Sequence, residues 1–431
     1  MLFSCYFDNF LSFKDESYFE LSAPKNRVRN RYPGNYVKVD SGELVLRDAV
    51  IAGENAGGKS NFITVFKFLR SLFVRNDVSP HSYPNLIFSG NLQAMDGSDD
   101  GARSKLSSQK FEVEIAQGKT TYRYMLTLEA HGITAEELSR RSVKTNDYEL
   151  VFSTFPSSDE VLCTDCPESD SCTLKDKGAY SCRRFELLAG SALGIPADLL
   201  DAVKELGSPS SDGLLVQALA TLGEPNCRAV VDWFSKELVI AFRDGGKFTI
   251  EGTVQDSLED ILHDQRYFDI FRLVDSSIIA IEIDKDGPFS DSIVIRESRD
   301  GTRYRRALRD DSTGVAQFAQ WALAIYLVVY KNKTVFADEI DSAINPVLSD
   351  RVLSFINSHD HFGQFIYTTH NALALTLRTF MKEQIYFVSK DVETLQSSLY
   401  SLADFKDIRY DVKGEVYDFY LSGVLGGTLH G

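Results

Sequence analysis

Positive charge is what this 431-residue chain lacks most: 46 lysines and arginines stand against 62 aspartates and glutamates, a formal net charge of −16. Broad phosphate binding depends on clustered Lys and Arg, so this balance argues against a protein whose whole surface grips nucleic acid. It leaves room for a local basic groove. Long apolar runs are missing too. The longest, Phe318–Tyr330, is too short to cross a bilayer and contains Gln320, so no membrane partner is expected. The first residues, MLFSCYFDNFLSF, carry no basic segment and no small-residue cleavage site, so no signal peptide is expected and the expected compartment is the cytoplasm, where thiols stay reduced. Sustained heptads are absent, which argues against a long coiled coil. What remains, at 43% hydrophobic and 25% charged residues, is an ordinary globular composition with enough chain for one large or two to three ordinary domains.

Against that background one loop stands out, GENAGGKSNF at residues 53–62. Gly53, Gly58, Lys59 and Ser60 fit the pattern G-x-x-x-x-G-K-[ST]. Glycines at these offsets let backbone N–H groups turn inward around phosphate oxygens, the lysine reaches the β- and γ-phosphates, and the serine hydroxyl ligates Mg²⁺. Glu54, Asn55, Ala56, Gly57 and Asn61 complete the candidate nucleotide cradle. The context agrees. Leu44–Gly53 reads as a strand, and Ser60–Phe73 places Phe62, Ile63, Phe66, Phe68, Leu69 and Leu72 at helical spacing. Strand, glycine loop and helix start is the arrangement that points a helix dipole at an anion. The alternative is a glycine-rich turn with no ligand.

A phosphate cradle needs partners to hydrolyse anything. KTVFADEID (333–341) is an apolar strand ending in carboxylates. Asp338 is assigned to Mg²⁺, through water, and Glu339 to the general base that orients the attacking water; the alternative is a strand ending in a solvated acidic turn. Ser312, Thr313, Gly314 and Gln317 open a long apolar helix, a second helix N-terminus suited to an anion. HFGQFIYTTHN (361–371) reads as a further buried strand ending in His370.

A different signal lies mid-chain. Cys163, Cys166, Cys172 and Cys182 are four of the six cysteines and fall within twenty residues. Cys-x2-Cys with two further thiolates suits a tetrahedral Zn²⁺ site; free thiols or disulfides, and an iron–sulfur cluster, are the competing readings. Residues 107–131 read as two strands joined by a tight turn, Asp212–Gly223 and Ser257–Ser277 as helical, and Ser276–Leu308 as a strand meander.

The order of these parts resembles the ATP-binding-cassette (ABC) ATPases, in the branch related to chromosome-maintenance and recombination ATPases. Within it, the chain is most similar to the AAA-type ATP-binding proteins of abortive-infection, anti-phage and toxin-companion operons. FDNFLSFKDES (7–17) looks like that family's opening strand and turn, FADEIDSAINP like its carboxylate strand and following turn, and IYTTHNALAL like its histidine switch. The resemblance implies an α/β fold: an ABC-ATPase head with a mixed β-sheet core flanked by helices, an antiparallel sheet, and a mostly helical insertion. It divides the chain into head residues 1–134, an insertion at 135–274 bearing the cysteines, and head residues 275–431. It further implies hydrolysis of ATP to ADP and phosphate with Mg²⁺, His370 and Lys59 acting beside Glu339, and a homodimer or higher homo-oligomer whose heads meet head to tail. Ser312 and Gly314 would then complete the partner's site. A separate effector, a nuclease or toxin from the same operon, and a phage-derived trigger are the implied partners; the alternative function is a DNA-repair or recombination ATPase that clamps duplex DNA. Two departures stand out: the signature Ser312–Gln317 lacks the second glycine of the transporter version, and Asn345 stands where a histidine often precedes the proline. Gln93 and Gln109 are the candidates for a magnesium-sensing glutamine.

Overall fold

The computed structural model describes residues 1–25, 27–75, 108–129, 132–142, 147–162, 181–196, 199–200, 213–244, 247–252, 258–284, 289–340, 345–371, 373, 375–408 and 415–425. The chain opens with β1 (Leu2–Asp8) and β2 (Ser17–Glu20), then a short ribbon of β3 (Tyr36–Lys38) and β4 (Leu44–Leu46). Next come β5 (Asp48–Gly53), buried at every position, and helix α1 (Lys59–Arg75). Five strands follow: β6 (Gln109–Gln117), β7 (Thr120–Glu129), β8 (Gly132–Ser142), β9 (Glu149–Leu162) and β10 (Ser181–Ala189). Two short helices, α2 (Leu215–Thr221) and α3 (Pro225–Asp232), lead through a π-turn at Trp233–Glu237 into β11 (Leu238–Asp244) and β12 (Lys247–Glu251). Helices α4 (Leu258–Leu262) and α5 (Gln265–Phe271) precede a meander of β13 (Ile278–Glu282), β14 (Ile293–Glu297) and β15 (Arg303–Ala307). The last part contains α6 (Thr313–Lys331), β16 (Thr334–Ala337), α7 (Pro346–Ser358), β17 (Gln364–Thr369), β18 (Ile385–Lys390), β19 (Ser397–Ser401) and α8 (Glu415–Leu421).

Two seven-stranded sheets organise these elements. One has the order β10-β9-β8-β7-β6-β1-β2 and is antiparallel throughout. The other has the order β12-β11-β16-β17-β5-β18-β19. Its five inner strands are parallel and its two edges antiparallel. Strands buried on both faces read as continuous apolar runs, which is how β5, β16 and β17 are written. Helix α1 lies between the sheets. Phe62 and Phe66 meet Phe19 of β2 on one side and Phe336 of β16 on the other, with Phe66 stacked on Phe336 at 3.7 Å. Helix α6 covers the opposite face of the parallel sheet, burying Phe318, Trp321, Ile325 and Val328. Its length and apolarity fit a core helix, 61% buried in its most apolar window. It ends at Asn332, which adopts the left-handed conformation (φ 55°) common in C-caps.

Two buried side chains stitch the two sheets. Tyr386 of β18 accepts from the N–H of Glu20 on β2 and donates to its carbonyl. Gln364, fully buried on β17, accepts from the backbone N–H of Leu2 and the hydroxyl of Thr334, and its amide donates to the carbonyls of Leu2 and Leu46.

The insertion differs from the expected helical one. Residues 132–142, 149–162 and 181–189 are strands that extend the antiparallel sheet, and β11 and β12 belong to the parallel sheet. Among the described residues of the insertion, helix is found at 199–200, 215–221, 225–232, 258–262 and 265–271, apart from the π-turn. The reason is visible in β8. Alternate residues point to one face, yet the inward position 136 is a glutamate, so the apolar alternation that marks a strand is broken in the sequence. Glu136 is buried because it caps a helix. Its carboxylate accepts from the N–H groups of Leu215 (2.7 Å) and Val216 (2.9 Å) at the start of α2, and from the Tyr124 hydroxyl (3.0 Å). Burial still pushes this carboxyl up to about 7, against the pull of those three donors.

Candidate functional site

In an open parallel sheet, ligands sit where the strands' carboxyl ends converge. Three candidate segments leave that edge together: the glycine loop after β5, the carboxylates after β16 and the histidine after β17. The order β16-β17-β5 puts the histidine strand between the other two.

The loop's shape is set by its glycines and by one alanine. Ala56 has φ 62° and Gly58 φ 115°, both in the left-handed region. A Cβ on Gly53 would lie 2.3 Å from the carbonyl oxygen of Val388 on the neighbouring strand β18, so no side chain fits there. Lys59 is the first residue of α1 and is 5% exposed. Its ammonium donates to the carbonyls of Gly53 (2.7 Å) and Glu54 (2.8 Å) and lies 3.1 Å from His370 Nδ1. A phosphate oxygen would compete with these carbonyls for the ammonium's three protons. Ser60 is exposed on the first turn of α1.

Glu339 leaves β16 in the left-handed conformation, φ 54°. For a non-glycine residue this is uncommon, and it turns the exposed carboxylate away from the strand line. Thr368 holds the turn: its hydroxyl donates to Asp338 Oδ1 (2.6 Å) and accepts from the Glu339 N–H (2.9 Å). Asp338 keeps its second oxygen. The Ser60 hydroxyl and the Asp338 carboxylate are hard oxygen donors of the kind Mg²⁺ takes alongside phosphate oxygens, so their chemistry fits that metal.

The structure thus brings Lys59 to His370, and ties Asp338 and Glu339 to the same strand, β17, through Thr368. It does not bring Ser312, Gly314 or Gln317 to this edge. Ser312 is exposed and caps α6, accepting from Val315 N–H at 3.4 Å; a Cβ on Gly314 would meet nothing within 4 Å. Ser312 lines a different groove with Asp275, Arg296, Tyr304, Arg305, Arg306, Asp311 and Val315. Gln109 is fully buried and donates to the carbonyl of Asn9, while Gln93 lies outside the described residues. Asp341 and the rest of its turn, 341–344, lie outside them as well. Asn345 caps α7, accepting from Leu348 N–H at 2.9 Å.

Sequence reading misses three hydroxyls here. Thr368 is one. The others are Ser12 and Ser397, which buttress the glycine loop from the turn after β1 and from β19. Asn61 Nδ2 donates to Ser12 Oγ (2.7 Å), the two serine oxygens lie 2.8 Å apart, and Ser397 Oγ donates to the Gly57 carbonyl (2.7 Å). Each hydroxyl has one proton, and a carbonyl can only accept. The chain of donation therefore runs Asn61 to Ser12 to Ser397 to Gly57. Repeated short polar residues near 12 and 397 give no periodic signal by which to find it.

Cys163, Cys166 and Cys172 lie outside the described residues; Cys182 falls on β10, opposite Val161 of β9. Leu162 pairs with Ser181, so the cysteine segment leaves and re-enters one end of a two-stranded ribbon. Among the described residues no group of three or more His, Cys, Asp or Glu is placed to hold a metal ion. Cys5 and Cys227 are buried free thiols, as expected for core cysteines.

The fold class is that of a P-loop ABC-type ATPase head: a parallel core with the phosphate-loop strand and carboxylate strand separated by one strand, beside an antiparallel sheet. Comparison with known proteins gives a family match at residues 231–376, to the model described as "AAA domain, putative AbiEii toxin, Type IV TA system". The match runs from the end of α3 through β11, the carboxylates and His370 and does not include the glycine loop. No curated protein matches the chain. Solved structures that superpose include the "SMC head domain from Thermotoga maritima" (15% identity, 93% of this chain and 98% of that one, TM-score 0.39). They also include an SmcHead bound to the C-winged helix domain of ScpA (13% identity, 93% and 97%, TM-score 0.42). A third is an Smc head domain with an extended coiled coil, bound to the C-terminal domain of ScpA derived from Pyrococcus furiosus (11% identity, 98% and 99%, TM-score 0.41). The class assignment stands on the strand order rather than on these superpositions.

Proposed function

We propose that the chain binds ATP with Mg²⁺, hydrolyses it to ADP and phosphate, pairs head to tail with a second copy around the nucleotide, and through that pairing governs a separate effector protein, a nuclease or toxin, in anti-phage defence. The observation that carries the reading is the meeting of Lys59 and His370 at 3.1 Å at the sheet edge, with Asp338 and Glu339 fixed by Thr368 of the same strand as His370.

In this reading the N–H groups of the glycine loop and the start of α1 hold the β- and γ-phosphates. Lys59 exchanges its loop carbonyls for γ-phosphate oxygens. Glu339 accepts a proton from the attacking water, and His370 holds that water or the γ-phosphate from the β17 side. Mg²⁺, when bound by Ser60 and Asp338, neutralises charge on the β- and γ-oxygens. Ser312 and Gly314 of the second copy approach the γ-phosphate with the start of α6. Their hydrogen bonds to a charged oxygen exist only while that oxygen is present, so hydrolysis loosens the pair and nucleotide state switches association.

The link to a toxin draws its support from the family match, whose description names a putative toxin of a type IV system; the anti-phage role and a phage-derived trigger rest on the resemblance of the motifs alone. Structural Zn²⁺ on Cys163, Cys166, Cys172 and Cys182 would staple the end of the β9–β10 ribbon; metal analysis of the purified protein, with at least one equivalent of zinc, is the check. The exposed arginines of β15 favour a second reading, a clamp for duplex DNA, which requires salt-dependent duplex binding at physiological ionic strength. The deciding experiment for the main reading is turnover of purified protein, with Lys59→Ala and Glu339→Gln as controls, together with light scattering of Glu339→Gln with and without ATP. A Glu339→Gln protein that stays monomeric with ATP overturns the pairing.

A further inference from the structure

The groove beside Ser312 has a cavity volume of ≈ 520 Å³ and takes Tyr304, Arg305 and Arg306 of its wall from β15, an edge strand of its three-stranded sheet. Arg303, Tyr304, Arg305 and Arg306 of this strand are all exposed, Tyr304 by 58%. Three arginines on one exposed edge strand stand out against a net charge of −16, although charged side chains commonly guard sheet edges. Most of the charge is engaged. Arg303 pairs with Glu297, Arg305 with Glu282, and Arg309 with Asp291. Inside the groove Arg296 holds both Asp275 (2.9 Å) and Asp311 (2.6 Å), and Asp311 also accepts from the Ser312 N–H. Arg306 is the exception: among the described residues it has no carboxylate partner. Arg306, Tyr304 and Arg296 alternate along one face of the sheet, with Tyr304 opposite Arg296 in register, and that face adjoins Ser312.

The surroundings of the phosphate loop are mixed but net acidic. Asp15 and Glu16 follow Ser12, and Asp391 and Glu393 lie in the turn that leads to Ser397; all four are exposed, as are Lys14 and Lys390 beside them, so four negative charges stand against two positive ones. Ser12 and Ser397 themselves touch the loop. One copy of the chain thus presents a net acidic rim around its cradle and a basic strand beside its signature serine.

We propose that this groove receives the phosphate-loop face of a second copy, and that Arg306 supplies a positive charge in trans to the triphosphate held there. The inference rests on the head-to-tail reading above and adds a residue to it: whatever anion reaches Ser312 enters the groove that Arg306 lines. Arg306 is left without a carboxylate inside its own copy because its partner is the other copy's nucleotide.

The test uses the full-length protein. Arg306→Ala lowers ATP turnover about tenfold or more, the size expected for loss of a charge-assisted contact, while ATP affinity of the isolated subunit is unchanged. Arg306→Lys keeps part of the turnover. Mixing Arg306→Ala with Lys59→Ala restores activity, because the mixed pair contains one site with an intact Lys59 facing an intact Arg306. In the Glu339→Gln background, Arg306→Ala weakens ATP-dependent pairing by light scattering. Turnover unchanged in Arg306→Ala, or no restoration on mixing while Glu339→Gln still pairs with ATP, overturns the role of Arg306 and leaves head-to-tail pairing standing. If Glu339→Gln itself stays monomeric, the pairing fails first. Loss of duplex binding with turnover intact in Arg306→Ala overturns the inference in favour of a nucleic-acid surface.

Discussion

The two helix starts assigned to phosphate are built in opposite ways. At α1 the lysine and the loop are held from within the chain. Lys59 is buried against the carbonyls of Gly53 and Glu54 and beside His370, and the loop is propped by Ser12 and Ser397, residues 385 positions apart. At α6 Ser312 is exposed, Gly314 has open space around it, and of the arginines lining the same groove Arg306 has no carboxylate among the described residues. A cradle that must hold one geometry is served by many internal hydrogen bonds. A surface that must be reached by another molecule is served by leaving its donors out. The contrast supports a division of labour in which one end binds and the other completes.

Four changes break or sharpen that contrast. The largest effect is expected at the cradle edge: Glu339→Gln lowers turnover by about 10³-fold while ATP still binds, since general-base catalysis and water positioning are worth about 10²–10⁴; single-turnover assays and nucleotide binding check it. Next is Asp48, at the root of the strand that carries the cradle. It is fully buried, accepts from Gln384 Nε2 at 2.6 Å, and burial raises its carboxyl to about 7, opposed by Asn357 and Arg47. The native state therefore holds a proton that the unfolded chain releases nearer pH 4. Its stabilisation is complete at low pH and is lost as pH rises through 7. Asp48→Asn should accordingly be more stable than the parent at pH 8, on the order of 3 kcal/mol, with the difference vanishing towards pH 4, as read by denaturant unfolding.

At the open end, Gly314→Arg is expected to fold normally, because nothing stands where its side chain would begin. Turnover falls about tenfold or more because two copies no longer approach, while Tm shifts little for an exposed substitution. A parallel drop in Tm and turnover would count against the contrast. The smallest change is Ser397→Ala, which removes the donor to the Gly57 carbonyl. A net hydrogen bond is worth about 1 kcal/mol, so ATP affinity should weaken about fivefold, and Ser397→Thr should recover part of it.

Much of the closed end is legible in the sequence. The cradle, its flanking strand and helix, and the strands leading to Asp338, Glu339 and His370 announce themselves because each is local: a spacing, an apolar run, a terminal polar group. What is illegible is whatever comes from afar or breaks a period. Thr368, Ser12 and Ser397 are common residue types whose meaning lies in which strand sits beside which. Strand β8 hides behind Glu136, whose burial makes sense only once α2 is docked on it. The basic run at 303–309 is visible, but that Arg306 alone lacks a carboxylate depends on cross-strand geometry.

Gln364 has a consequence for how this molecule is made. The backbone of Leu2 is completed by a side chain 362 residues later. On a ribosome adding about 5–20 residues per second, the opening strand waits roughly half a minute for that amide to emerge. Through that interval its apolar face, Leu2, Phe3, Cys5 and Phe7, must be shielded by the strands already synthesised or by a chaperone. Nascent chains truncated before residue 364 should therefore be the ones that bind holdases most avidly.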